Sequence, residues 1–152
     1  MKNKYQKLVN QTIPISQQIG WQIESLSAEK IVAHTQLAPN INIHGTGFAG
    51  SLFAAAMATG WTLLKYWSDQ QTFRSELVAA EANIKYLSPV TDDFICEATL
   101  DTTSDAYAQL LLRFAADKNA RLLQDVEVRC NDNLCAILQV QFVFKPKAKN
   151  KE

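Results

Sequence analysis

Soft metal ligands are scarce in this chain: two histidines, His34 and His44, and three cysteines, Cys96, Cys130 and Cys135, with no C-x-x-C spacing. A structural zinc site needs four such ligands in regular spacing, so no metal is expected. Free cysteine packs as a small hydrophobe, and the three thiols are expected to be buried and inert. An excess of either charge is missing too. Fifteen basic residues balance fifteen acidic ones, which argues against a general nucleic-acid or membrane partner. The N-terminal MKNKYQKLVNQTIP begins basic but has no apolar h-region, so a cytoplasmic location is expected. No repeat, linker or low-complexity segment marks a boundary, and residues 1–152 read as one domain. That length buries about two thirds of the unfolded surface without disulfide or metal. The tail 145–152, KPKAKNKE, carries alternating lysines and reads as a flexible basic terminus.

Hydrophobic periodicity supplies the elements. Tyr5, Leu8, Val9 and Thr12 fall at i, i+3, i+4 and i+7, predicting a short helix stopped by Pro14. WQIESL and KIVAHTQL, separated by SAEK, read as a hairpin ended by Pro39. Residues 51–67, SLFAAAMATGWTLLKYW, hold no acid and one base, and are apolar on nearly every face. A helix apolar all round is buried, and this one is too short and too polar for a membrane span. Gly60 within it costs about 1 kcal/mol against alanine, which predicts a close neighbour at that point.

The remainder is strand-rich. Glu81, Asn83 and Lys85 alternate with Ala80, Ala82, Ile84 and Tyr86, a half-buried strand ended by Pro89. FICEATL follows as a strand, and Tyr107, Leu110, Leu111 and Phe114 mark a surface helix with Thr103 or Ser104 as its cap. LLQDVEVRC and LCAILQVQFVF flank Asn131-Asp132-Asn133 as a hairpin. One long helix against a curved antiparallel sheet, an α+β architecture, is the economical packing of these elements.

The segment NINIHGTGFAG contains G-x-G-x-x-G as Gly45, Gly47 and Gly50. A dinucleotide fingerprint needs a βαβ unit with an acid closing the second strand, whereas Asp69, at the right spacing, ends the apolar helix instead. The same loop delivers a helix N-terminus whose first amides lack internal partners and can polarise a carbonyl. If the preceding stretch is extended, Asn40, Asn42 and His44 point one way and line a site. Simple turn-making by the glycines and asparagines is the competing reading.

The stretch Asn40-x-Asn42-x-x-Gly45-Thr46-Gly47-Phe48-Ala49-Gly50-Ser51-Leu52-Phe53, then Thr59-Gly60-Trp61, then Ile84-x-Tyr86-Leu87-x-Pro89-Val90, resembles the YiiD-type C-terminal putative thioesterase domain of the hotdog-fold superfamily. The resemblance spans nearly the whole chain. It implies a central helix wrapped by an antiparallel sheet, with short extra helices, assembled as a homodimer or dimer of dimers with sites at the subunit interface. It further implies hydrolysis of an acyl thioester of coenzyme A or of an acyl carrier protein. No separate cofactor is expected, coenzyme A or phosphopantetheine being part of the substrate.

Hotdog thioesterases often carry His-Gly-Gly at the helix N-terminus and a carboxylate about two turns later. Phe48-Ala49-Gly50 occupies the first place, and residues 51–68 contain no carboxylate, the acid's place lying near Met57. If the chain is a hydrolase, the amide of Gly50 or Ala49 is expected to polarise the thioester carbonyl, Asn42, alone or with Asn40, to orient the water, and His44 to supply an imidazole for proton transfer. Asn40, Thr46, Gly47, Phe48, Ala49 and Ser51 are the expected substrate contacts. Ser51 also reads as a helix cap, Thr46 as a turn residue and Glu81 as a solvated carboxylate. Two rival functions are a non-catalytic acyl-thioester binding module and, ranked last, a dehydratase-like activity, for which the helix lacks a His or acid.

Overall fold

The computed structural model describes residues 1–147. In chain order it forms α1 (Lys2–Thr12), α2 (Ile15–Gln18), β1 (Trp21–Leu26), β2 (Lys30–Thr35), a 3-10 turn (Ala38–Asn40), α3 (Ala49–Asp69), β3 (Ser75–Tyr86), β4 (Phe94–Thr99), α4 (Asp105–Ala115), β5 (Ala120–Cys130) and β6 (Asn133–Pro146). The strands make one sheet in the order β1-β2-β4-β5-β6-β3, and every neighbouring pair is antiparallel. A dinucleotide fold needs parallel strands, so the glycine loop serves another purpose.

α3 packs against β2, β3, β4, β5 and β6, and the sheet wraps around it. This is the hotdog arrangement. Small residues on α3 let the strands come close: a Cβ on Gly60 would lie 3.0 Å from Val126 Cγ2 and 3.5 Å from Phe142. The buried hydroxyls of Thr59 and Thr62 donate to Ala55 O (2.8 Å) and Ala58 O (2.6 Å), so the helix satisfies its own core polar groups. Thr59 Oγ1 also accepts from the buried Trp21 Nε1 at 2.9 Å, joining helix to sheet. Near the C-terminal end of α3, Trp67, Tyr107, Phe114 and Phe144 meet edge to face, which anchors α4. Ser104 caps α4 by accepting from Tyr107 N at 3.1 Å.

The β5–β6 hairpin turns through Asn131 and Asp132, both at positive φ (48° and 63°), as a two-residue type I′ turn requires. All three cysteines are buried and free. Complete burial pushes the Cys96 thiol up to about 12.

Some boundaries differ from the sequence expectation. After Pro14 the chain re-enters a helical turn, α2, and the second strand ends at Thr35, with Pro39 inside the 3-10 turn. On β3, Ala82 and Ile84 are half-buried, but Ala80 and Tyr86 are exposed. A bulge between Ala79 and Glu81 leaves Ala80 without a partner on β6 and breaks the simple alternation. Positions 145–147, expected to be part of a flexible tail, are tied to the fold: β6 continues to Pro146 and Lys147 N donates to Arg74 O at 3.0 Å. Residues 148–152 lie outside the described residues.

The two sheet edges are treated differently. Along β1, Gln6 from α1 acts as a surrogate strand: its Oε1 accepts from Ile23 N at 2.6 Å and its Nε2 donates to Trp21 O at 3.4 Å. β3, the other edge, has 12 residues, and no other element lies along it among the described residues. Val78, at 37% exposure, and the exposed Ala79 and Ala80 face outward there, a surface that isolated chains rarely leave open.

Candidate active site

The 41–47 loop is a small closed hairpin. Ile41 and Gly47 form an antiparallel bridge, Asn42 N donates to Thr46 O at 2.8 Å, and Gly45 N donates to Asn42 O at 3.0 Å. Gly45 adopts φ +74°, which a side chain would resist. Asn42 braces the inside of the turn. Its Oδ1 accepts from His44 N (2.9 Å) and Thr46 N (3.1 Å), and its amide contacts Thr46 Oγ1 at 2.9 Å. An asparagine side chain replaces the backbone partners that so tight a turn cannot supply.

The expected row of polar side chains does not form. Asn40 closes the 3-10 turn, is 2% exposed, and donates from Nδ2 to Ile19 O (2.7 Å) and Gln36 O (2.6 Å). The buried Ile19 carbonyl and the part-buried Gln36 carbonyl take their donors from Asn40, which turns inward, away from Asn42 and His44. This burial leaves Asn40 as a brace of the scaffold and not a surface contact. His44 stands at the exposed apex of the loop beside Ile43, which is 94% exposed. Its backbone amide is held by Asn42, while its imidazole forms no hydrogen bond or ion pair among the described residues.

From this loop the chain enters α3. Phe48 is the capping position, with extended backbone (φ −66°, ψ 130°) and no side-chain cap. Ser51 lies inside the first turn, so it does not cap the helix. Phe48 N donates to Asn40 O (2.7 Å) and Gly47 N to Val90 O (2.8 Å), which fixes the entry. The next three amides, of Ala49, Gly50 and Ser51, have no acceptor among the described residues. Ala49 and Gly50 are exposed and Ser51 half-buried. They form an uncapped, solvent-facing helix N-terminus that favours an oxygen carrying partial or full negative charge.

Two glycines here answer to close contacts. A Cβ on Gly47 would sit 2.9 Å from Val90 Cβ and 3.1 Å from Leu52 Cδ2; one on Gly50 would sit 2.7 Å from Phe48 Cε1. The ring of Phe48, a residue 53% exposed, thus lies against Gly50. Tyr86, at the end of β3, donates from its hydroxyl to Ala49 O at 2.8 Å and ties the sheet edge to the helix start. Partial burial raises the Tyr86 phenol above its usual value. Tyr86 and Val90 are the site-forming residues that the loop reading missed; they belong to the Ile84–Val90 stretch of the resemblance, far beyond the loop in sequence.

No carboxylate accompanies the open amides from within α3. Met57 is half-buried against the core, and the first acid of the helix, Asp69, stands at its far end. Asp69 there accepts from Tyr5 Oη at 2.7 Å and pairs with Lys65. Glu81 is exposed on β3, opposite Gln141. Around the helix start, Ile41 (55%), Ile43, Phe48, Tyr86 (49%) and Leu87 (53%) leave apolar surface in solvent. Among the described residues no group of His, Cys, Asp and Glu is arranged to hold a metal. No helix of the described chain is long and apolar enough to cross a membrane.

Residues 2–146 match the family model described as putative thioesterase (yiiD_Cterm). Among solved structures, the putative thioesterase from Shewanella oneidensis is 28% identical, with 95% of this chain and 97% of that chain covered and a TM-score of 0.84. A Chlorobaculum tepidum protein of unknown function is 22% identical over 96% of this chain and 94% of that one, with a TM-score of 0.87. A Pseudomonas aeruginosa protein described as a probable thioesterase is 20% identical over 97% of both, with a TM-score of 0.83. At their lower identity, the last two speak for the fold alone.

Proposed function

The chain belongs to the YiiD C-terminal putative thioesterase family, and from that premise we propose that it hydrolyses acyl thioesters at a site completed by a second copy of itself. The observation that carries this reading is the set of open amides at the exposed Ala49 and Gly50 and the half-buried Ser51, at the head of α3 and bordered by apolar surface. Donors fixed before the reaction stabilise the oxyanion that forms when water adds to a thioester carbonyl, and such stabilisation is usually the largest catalytic term.

On this reading the thioester carbonyl oxygen accepts from the amides of Gly50 and Ala49. Water adds to the carbonyl carbon, the C–S bond breaks, and the thiol leaves with a proton. His44 takes the proton from water and returns it to the departing sulfur, the role an imidazole fills near neutral pH. Asn42 acts by holding the loop that carries His44, since its amide is committed to Thr46 and the loop backbone. Thr46, bonded to Asn42, belongs to the same brace, and Gly47 and Ser51 shape the entry to the helix. Phe48 and Leu87 offer apolar walls for the acyl group.

The second copy is argued from the open β3 edge. Antiparallel pairing of two β3 strands would continue the sheet and cover Val78, Ala79 and Ala80. The same pairing brings a second chain beside Tyr86 and the helix head, where Ile41, Ile43 and Phe48 are exposed. A homodimer, alone or doubled, follows, and a cytoplasmic setting suits substrates carried on coenzyme A or a carrier protein.

Purified protein is incubated with acyl-CoAs of increasing chain length and thiol release is followed, with His44→Gln in parallel. The expected result is turnover that falls by about 100-fold or more in the variant. The absence of a carboxylate on α3 ahead of Asp69, at its far end, favours one alternative, a non-catalytic acyl-thioester binding module. Thermal stabilisation by acyl-CoA with no thiol release from any acyl-CoA or acyl carrier protein would establish that alternative instead.

A further inference from the structure

The opposite end of α3 opens onto a depression of about 540 Å³, lined among others by Lys4, Lys65, Asp69, Phe73, Arg74 and Lys147. Four cations thus surround one carboxylate on a chain whose net charge is zero. Asp69 is already engaged by Lys65 and by the Tyr5 hydroxyl. Among the described residues no carboxylate lies within ion-pair distance of Lys4, Arg74 or Lys147. Gathering like charges in one recess costs stability unless an anion occupies it.

The recess carries more than charge. Phe73, 41% exposed, stands next to Arg74, and Thr72 and Gln71 add a hydroxyl and an amide to the lining. An aromatic face beside a guanidinium and several ammonium groups suits a purine nucleotide bearing more than one phosphate. A concave recess of this size fits a small ligand better than the convex surface of a carrier protein.

The topology connects this recess to the open amides. Within one chain the two stand at opposite ends of the 21-residue α3, about 30 Å apart at the helical rise. β3, however, starts at Ser75 on the rim of the recess and ends at Tyr86, which is bonded to Ala49 at the helix head. Two β3 edges paired antiparallel place the Ser75 end of one copy alongside the Tyr86 end of the other. Resting on the thioesterase reading above, we infer that the basic recess of one copy binds the phosphorylated nucleotide end of an acyl-CoA whose thioester lies at the helix head of the second copy. Coenzyme A, and not an acyl carrier protein, is then the carrier the site is built for.

The test is calorimetric titration of the intact protein with adenosine 3′,5′-bisphosphate, a probe with the nucleotide phosphates and no thioester. Saturable, salt-sensitive binding is expected, weakened roughly tenfold by Arg74→Glu and similarly by Lys147→Glu. Lys4→Glu, on the exposed face of α1, serves if either variant loses its circular-dichroism spectrum. No binding to the wild type at millimolar probe, or binding that these charge reversals leave unchanged, overturns the inference. So does an acyl carrier protein whose binding Arg74→Glu weakens while the nucleotide goes unbound. Because the probe contains no thioester, its binding is measured equally well on a protein that has no thioesterase activity. Conversely, acyl-CoA hydrolysis without nucleotide binding removes this inference and leaves the hydrolase reading standing.

Discussion

Thr59 carries two bonds at the centre of the core, donating to Ala55 O and accepting from Trp21 Nε1. Thr59→Val keeps the shape and strands a buried indole N–H, so it should destabilise by about 1–3 kcal/mol in urea unfolding. Gly47→Ala drives a methyl against Val90 and Leu52, both held by the loop and helix, and should lower stability by about 1–3 kcal/mol by the same measurement. The sequence motif around Gly47 is legible as a loop ahead of a helix, but the reasons for its glycines are not. Val90 lies far along the chain, and only the fold brings it to Gly47. Asn40 is the opposite case: alternation with Ile41 suggests a shared direction with Asn42, whereas the bonds it gives to the carbonyls of Ile19 and Gln36 turn it inward. Local spacing cannot report a demand made by distant backbone.

Among the elements, α3 is the most legible, because an apolar run free of acids has few places to go except a core. Its Gly60 signals a close neighbour, and Val126 is that neighbour. β3 is less so: the bulge at Ala80 depends on how the strand is matched to β6, a property of the pair and not of the strand. That strand also carries the assembly proposal. Val78→Lys on the open edge should convert the protein to a monomer in sedimentation equilibrium while leaving its helical circular-dichroism signal intact. A wild type that sediments as a monomer would remove the edge-pairing model. The closed edge behaves otherwise: Gln6→Ala exposes the amide of Ile23 and should cost about 1 kcal/mol with no change of oligomeric state.

For the molecule as a whole, burial sets an alkaline limit. The Cys96 thiol, ordinarily at 9.0, is held up to about 12 by its enclosure. Tyr5 is raised as well, first by burial and then by its bond to Asp69. Between the unfolded and folded values the native state binds more protons than the unfolded one, so stability is full below about pH 9 and is lost as pH rises toward 12. Urea midpoints measured across that range should fall steadily; a flat profile would contradict the burial of these groups. At this scale the α+β class and the antiparallel sheet around one helix are readable from element order alone. A site formed by two chains is not, since one sequence describes one copy. Such a site is tested most directly by comparing thiol release from acyl-CoA by the wild type and by the Val78→Lys monomer at equal chain concentration. Turnover by the wild type and a loss of about 100-fold or more in the monomer are predicted. No release by the wild type, or equal release by the two, would contradict a site shared between copies.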